Sequence, residues 1–192
     1  KSIEVEDFGR GCPVDWNPAE KRFNWELVYC ELYAGGKYKN DDGGDYEYSL
    51  GLNGLGACAT QYASEYMDVT VWRDGNKYTL HFAKGKIKGK MLVEPSDRKK
   101  TGTTTRWKPD IEVFTDINIP ESYFLDILRR QAVVNAGVTF RFRAQHGAKF
   151  ETTEFCYKNG IADYVAELAG ESPLTQPYYI ETERKGRDRE DK

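Results

Sequence analysis

The stretch Gly51-x-x-Gly54-x-Gly56 places three glycines in six residues, immediately ahead of a helix-compatible run over 57–66. Glycines at a loop-to-helix junction let the backbone approach a ligand closely and aim free N–H groups at it, which is one way a protein holds phosphate. Glycine clusters of this kind also serve plain turns. A second candidate, Asp7-x-Gly9-x-Gly11, follows the alternating strand pattern Ser2-Ile3-Glu4-Val5-Glu6. An aspartate at a strand end puts a carboxylate at the floor of a cleft whose walls are bare backbone. Such a carboxylate accepts a hydrogen bond from the exocyclic amino group of adenine and repels the carbonyl that guanine offers there. The same spacing also occurs in simple Asp-Gly turns.

The elements that must position these groups are legible in outline. At 192 residues the chain can bury a core, and 39% hydrophobic and 14% aromatic residues exclude wholesale disorder. A net charge of −3 does not suggest a nucleic-acid surface over the whole molecule, while leaving room for a local basic strip. Cys12, Cys30, Cys58 and Cys156 show no C-x-x-C pair and have only His81 and His146 to join them. Reduced, buried thiols in a cytoplasmic protein are expected from this pattern, rather than a zinc site or a disulfide framework. No apolar run approaches the roughly 20 residues of a membrane span and no signal peptide opens the chain, so a soluble, intracellular protein without a membrane partner is expected. The chain starts at Lys1, and its first strand has no turn or cap before it. A strand needs a neighbour, so the sequence reads as a fragment of a longer protein.

Residues 23–34 carry Trp25, Val28, Tyr29 and Leu32 at helical spacing, with Asn24 as the expected cap. The polar segment 34–46, with four glycines, reads as a lid running into the glycine stretch. Strands are expected over 67–73 and 77–83 around an Asp74-Gly75 hairpin turn. Residues 85–90 are basic and glycine-rich, either a solvated connection or a phosphate-seeking element. Further strands are expected at 91–93, 100–107, 138–143 and 150–157, a helix from Pro120 to about Val134, and a short helix over 160–168 ended by Gly170. The order reads as an α+β, two-layer sandwich of a mostly antiparallel sheet with helices on one face. Residues 1–170 are expected to form one domain, with a polar tail or linker over 171–192.

Asp7-x-Gly9-x-Gly11, then the long glycine loop, then Gly51-x-x-Gly54-x-Gly56 opening a helix, then Thr101-Gly102-Thr103 on a later strand, resembles the Bergerat ATP-binding fold of the gyrase, chaperone, histidine-kinase and mismatch-repair group. Tyr33-Ala34-Gly35-Gly36-Lys37-Tyr38, Lys100-Thr101-Gly102-Thr103 and Trp107 with Pro109 narrow the resemblance to the ATPase domain of bacterial type II topoisomerase B subunits, gyrase in particular. It spans residues 2–180. Topoisomerase IV shares these motifs, and a non-catalytic nucleotide-sensing or dimerisation module of the same fold is a further alternative.

The resemblance implies a set of ATP contacts. Asp7 matches the adenine-reading carboxylate, assisted by a water held with Gly11 and Thr103. Pro13 and Val28 match apolar contacts to the base, Tyr46 a lid tyrosine against the purine, and Lys37 a lid lysine near the phosphates. Leu52, Asn53, Gly54, Leu55 and Gly56 match the backbone that wraps the triphosphate. Arg73 matches an arginine at the pocket edge, beside which aminocoumarin-type inhibitors bind. It also implies that the water-activating glutamate and the Mg²⁺-holding asparagine lie on a helix ahead of Lys1, so no catalytic residue or metal ligand is expected within the 192 residues. Self-dimerisation through an N-terminal arm, and contact with a gyrase A-type subunit and DNA through other domains, are implied for the whole protein. Some positions depart from the family. Phe8 stands where an aspartate is common and is expected to pack inward or against the preceding segment. Leu50 replaces a glycine, Asn53 a histidine and Glu47 a lysine. Asn53 can still donate a hydrogen bond, whereas Glu47 places negative charge near phosphate and is assigned no role.

Overall fold

The structure, a computed structural model, describes residues 1–34, 54–97, 99, 101–175, 177–178, 180 and 182. It divides into two compact units, Lys1–Ile117 and Asn118–Lys192.

The first unit is built from strands β1 (Ile3–Glu6), β2 (Trp16–Asn17) and β3 (Arg22–Phe23), helices α1 (Asn24–Cys30) and α2 (Gly56–Tyr62), and strands β4 (Ser64–Arg73), β5 (Asn76–Ala83), β6 (Lys86–Ile87), β7 (Leu92–Pro95) and β8 (Gly102–Pro109). Its main sheet runs β1-β8-β4-β5-β6, with β7 also paired to β5. Every pairing in it is antiparallel.

The sheet is two-sided because its strands alternate. Met67, Val69 and Val71 of β4 are buried, while Asp68 and Thr70 between them are partly exposed. Register across to β5 sets Met67 opposite Phe82 and Val69 opposite Leu80. Val14 and the α1 residues Val28 and Tyr29 close over these side chains to form one core. Phe82 sits at its centre, with its ring centroid 5.7 Å from Tyr29 and 6.1 Å from Trp25. The Asp74-Gly75 turn has φ of 51° and 71°, the doubly left-handed geometry that matches strand twist in a tight hairpin.

Several boundaries differ from expectation. Helix α1 ends at Cys30 instead of continuing to 34, which leaves Leu32 outside it and exposed. Helix α2 stops at Tyr62, because Ser64 already pairs with Pro109 in β4. Asn24 does not cap α1. It is the first helical residue and is 3% exposed, its N–H donating to the Asp15 carbonyl at 2.7 Å and its Oδ1 accepting from Asn17 Nδ2 at 3.0 Å. The open N–H of Phe23 is taken instead by the Glu26 carboxylate at 2.9 Å.

The second unit contains α3 (Glu121–Val134), the hairpin β9 (Phe140–His146) and β10 (Lys149–Phe155), and α4 (Ile161–Ala169). Pro120 precedes α3, where its missing N–H costs nothing. Ala132, Val133 and Tyr157 form a small core with Phe140, Phe155 and Tyr164, and the Tyr157 hydroxyl donates to Glu167 at 2.7 Å. Among the described residues no helix is long and apolar enough to cross a membrane.

Phe82 is completely buried, so Phe82→Ala is expected to lower unfolding free energy by about 3–5 kcal/mol in denaturant titration. A loss below about 1 kcal/mol would show that this core does not carry the first unit.

Candidate functional site

The site is assembled where the end of β1 meets the start of β8. The Asp7 N–H donates to the Thr103 carbonyl at 2.9 Å, continuing the β1–β8 ladder by one step. Gly102 has φ of 149°, and a Cβ there would lie 2.1 Å from the Asp7 carbonyl oxygen, so a side chain would have to push the two segments apart. Gly11, at φ 82°, is equally constrained, since a Cβ would stand 2.8 Å from the Trp72 carbonyl of β4. The two glycines let three pieces of backbone converge without side chains between them.

What this leaves is an open cleft of about 330 Å³, lined by Asp7, Arg10, Gly11, Cys12, Pro13, Val28 and Thr103. That volume is at the lower end of small-molecule pockets. Asp7 Oδ1 accepts the Gly9 N–H at 2.9 Å, which orients the carboxylate. The Thr103 hydroxyl accepts the Cys12 N–H at 2.9 Å and so keeps its own proton to donate. Thr101 bonds the Gly9 carbonyl at 2.6 Å, tying the loop to the strand entrance. Val28, from α1, supplies an apolar part of the lining.

Cys12 presents a thiol to the same cleft, and burial pushes its pKa up to about 11. It is a neutral, weakly polar wall at ordinary pH and not a nucleophile. Burial raises Cys30 to about 11 as well. The cysteines are all free, but against the expectation that all four are buried only Cys58 is fully so, Cys12 and Cys30 being half-buried and Cys156 exposed.

Asp7, Gly11, Pro13, Val28 and Thr103 are thus brought together. Arg73 lies at the rim, its Nη1 donating to the Gly11 carbonyl at 3.4 Å and its Nε paired with Asp74 at 2.9 Å. Gly54 takes φ of 63°, Leu55 stands at the N-cap and Gly56 begins α2. Lys37, Tyr46, Leu52 and Asn53 lie outside the described residues. Phe8 does not pack inward and is 66% exposed. Arg10 and Cys12 are lining residues that sequence reasoning missed. The one signal for them was position, since they fill the gaps of a motif whose glycines shape the cleft.

No family model matches the chain. It is 35% identical over 176 residues to the B subunit of DNA topoisomerase 4 from Escherichia coli, an alignment covering 90% of this chain and 27% of that protein. It is 35% identical over 181 residues to the B subunit of DNA gyrase from Thermus thermophilus, covering 93% and 28% respectively. The chain therefore spans little more than a quarter of the length of these two relatives. Among solved structures, the 43K ATPase domain of Thermus thermophilus gyrase B, in complex with an aminocoumarin, superposes with a TM-score of 0.75 at 30% identity, covering 96% of this chain and 45% of that one. The topoisomerase IV ATP-binding domain of Francisella tularensis, with a small-molecule inhibitor, gives 0.71 at 26% identity, covering 96% and 47%.

Gly102→Ala is expected to cost about 3 kcal/mol in denaturant unfolding, because the contact is with backbone that cannot rotate away; an unchanged midpoint would contradict the junction described. Alkylation followed by mass spectrometry at pH 8 should modify Cys156 first and leave Cys12 untouched until pH nears its raised pKa. Early labelling of Cys12 would place its thiol outside the wall.

Proposed function

The chain belongs to the ATPase-domain family of the gyrase and topoisomerase IV B subunits, and from that premise we propose that the cleft beside Asp7 takes the adenine base of ATP. The observation that supports this most is the convergence of Asp7, Gly11 and Pro13 with Val28 and the distant Thr103 on one cleft. The exocyclic amino group donates to Asp7 Oδ2. The Thr103 hydroxyl proton reaches a ring nitrogen directly or through a bridging water held with Asp7 and Gly11. Pro13 and Val28 cover the faces of the ring, and Arg73 stands at the edge where an aminocoumarin-type inhibitor is expected to bind. Gly54, Leu55 and Gly56 supply backbone N–H groups to the phosphates, with Leu52, Asn53, Lys37 and Tyr46 completing the grip.

For the whole protein we propose an ATP-dependent type II topoisomerase, gyrase-like, in which nucleotide binding closes a dimer and drives DNA strand passage together with a gyrase A-type subunit in the cytoplasm. A topoisomerase IV role is the second reading, since relatives of both names match at 35% identity. Residues 171–192 are read as leading towards a following domain. Among the described residues no group of three His, Cys, Asp or Glu side chains is placed to hold a metal ion. The glutamate and asparagine that would serve hydrolysis are not matched within residues 1–192, so a polypeptide of these residues is expected to bind ATP weakly at best and not to turn it over.

Isothermal calorimetry tests the binding site. Asp7→Asn should weaken ATP binding by on the order of 100-fold, because a charge-assisted acceptor is replaced by an amide, while circular dichroism stays unchanged. Equal affinity of the variant and the parent would overturn the assignment.

A further inference from the structure

The run Lys84-Gly85-Lys86-Ile87-Lys88-Gly89-Lys90 carries four lysines in seven residues, and the nucleotide site uses none of them. It forms the turn and return strand of the β5–β6 hairpin, with Phe82 opposite Ile87 and Ala83 opposite Lys86. The Lys88 N–H continues the ladder by donating to the His81 carbonyl at 2.8 Å. Left-handed φ values of 48° at Lys84 and 77° at Gly85 make the turn, and Gly89 at 80° turns the chain again. A Cβ on Gly85 would lie 2.9 Å from the Tyr62 ring, so the turn rests directly on a side chain of α2. Ile87 packs against the core, and strand alternation then puts Lys86 and Lys88 together on the opposite, outer face. The hairpin is therefore a braced element and not a loose connection.

Charge on this element is left unbalanced. Nearby lysines have carboxylate partners: Lys77 with Glu94 at 3.5 Å, Lys84 with Glu112 at 2.7 Å and Lys108 with Glu65 at 2.5 Å. Among the described residues, Lys86, Lys88 and Lys90 are exposed and have no carboxylate within ion-pair distance. Three like charges in five residues repel one another, and a chain of net charge −3 has ample carboxylates to neutralise them. Lys86 and Lys88 are about 6.6 Å apart along the strand, a spacing that lets their ammonium groups reach separate phosphates of a duplex strand with an axial repeat of about 3.4 Å.

We infer that the Lys86-Lys88-Lys90 edge of this hairpin contacts the phosphate backbone of duplex DNA without reading its sequence. The choice of DNA among polyanions rests on the topoisomerase reading, whereas the site itself rests on the hairpin. A short fluorescent duplex, titrated with the purified protein over a range of salt concentrations, tests it. The triple variant Lys86→Gln, Lys88→Gln, Lys90→Gln should bind on the order of 100-fold more weakly at 0.1 M salt, and its slope of log affinity against log salt should be less negative by about 2.7, three phosphates at 0.9 each. Lys77→Gln, which removes a paired lysine, should change neither. ATP affinity of the triple variant should be unaltered, which separates this inference from the nucleotide site. Unchanged DNA affinity and slope in the triple variant would overturn it even if Asp7→Asn abolishes ATP binding, and so would lysine-dependent binding to phosphatidylserine vesicles without binding to duplex.

Discussion

The hydrogen bond from the Asp7 N–H to the Thr103 carbonyl, made possible by the bare backbone of Gly102, is the contact on which the candidate site depends. Strand β1 lies at the edge of the sheet and pairs with β8. The position of Asp7 is therefore inherited from β8, which β4 holds in register from Thr103 opposite Val71 to Trp107 opposite Met67. Those β4 residues are core residues. A line of force thus runs from the packed interior, through two strand pairings, to one carboxylate at a cleft. Gly11 adds a second anchor against β4, so the loop between Asp7 and Pro13 is held at both ends.

The chemistry of the cleft follows from what its walls lack. Apart from Asp7 and Arg10, its lining consists of backbone, a proline, a valine, a neutral thiol and a threonine hydroxyl. Asp7 is itself exposed at this open cleft, so a hydrogen bond to its carboxylate gains over one in water only as a bound ligand covers it, and an acceptor set against it would then leave both groups unpaired. The carboxylate is already oriented by the Gly9 N–H, so little freedom is lost when a ligand donates to it. A base seated as proposed would meet a donor-selecting group at one point and the apolar contacts of Pro13 and Val28 beside it.

Much of this was legible from residue order. The Asp74-Gly75 turn, the alternation along β4, the Pro120 helix start and the Gly170 helix stop each carry a local rule that tertiary packing did not override. Asp7, Gly9 and Gly11 stood out only through their order with the later glycine stretch and Thr101-Gly102-Thr103, since their spacing alone fits a simple turn. Asn24 was misread because capping propensity describes an exposed helix end, whereas here the side chain is buried between Asp15 and Asn17. The end of α2 was misplaced because Ser64, Glu65 and Tyr66 carry no local signal that ends a helix, and the pairing with β8 draws them into β4. The division at Ile117 and Asn118 had no composition shift to mark it. Cys12 showed itself only by its place beside Gly11, since a lone cysteine has no chemistry of its own in sequence.

If a single oriented carboxylate selects the base, the two purine nucleotides must differ sharply in affinity. Competition calorimetry of ATP against GTP on the parent chain reads that difference. ATP is expected to bind at least about 100-fold more tightly, because guanine sets a carbonyl against Asp7 where adenine sets an amino group. Equal affinities would mean that Asp7 does not select the base, whatever the fold.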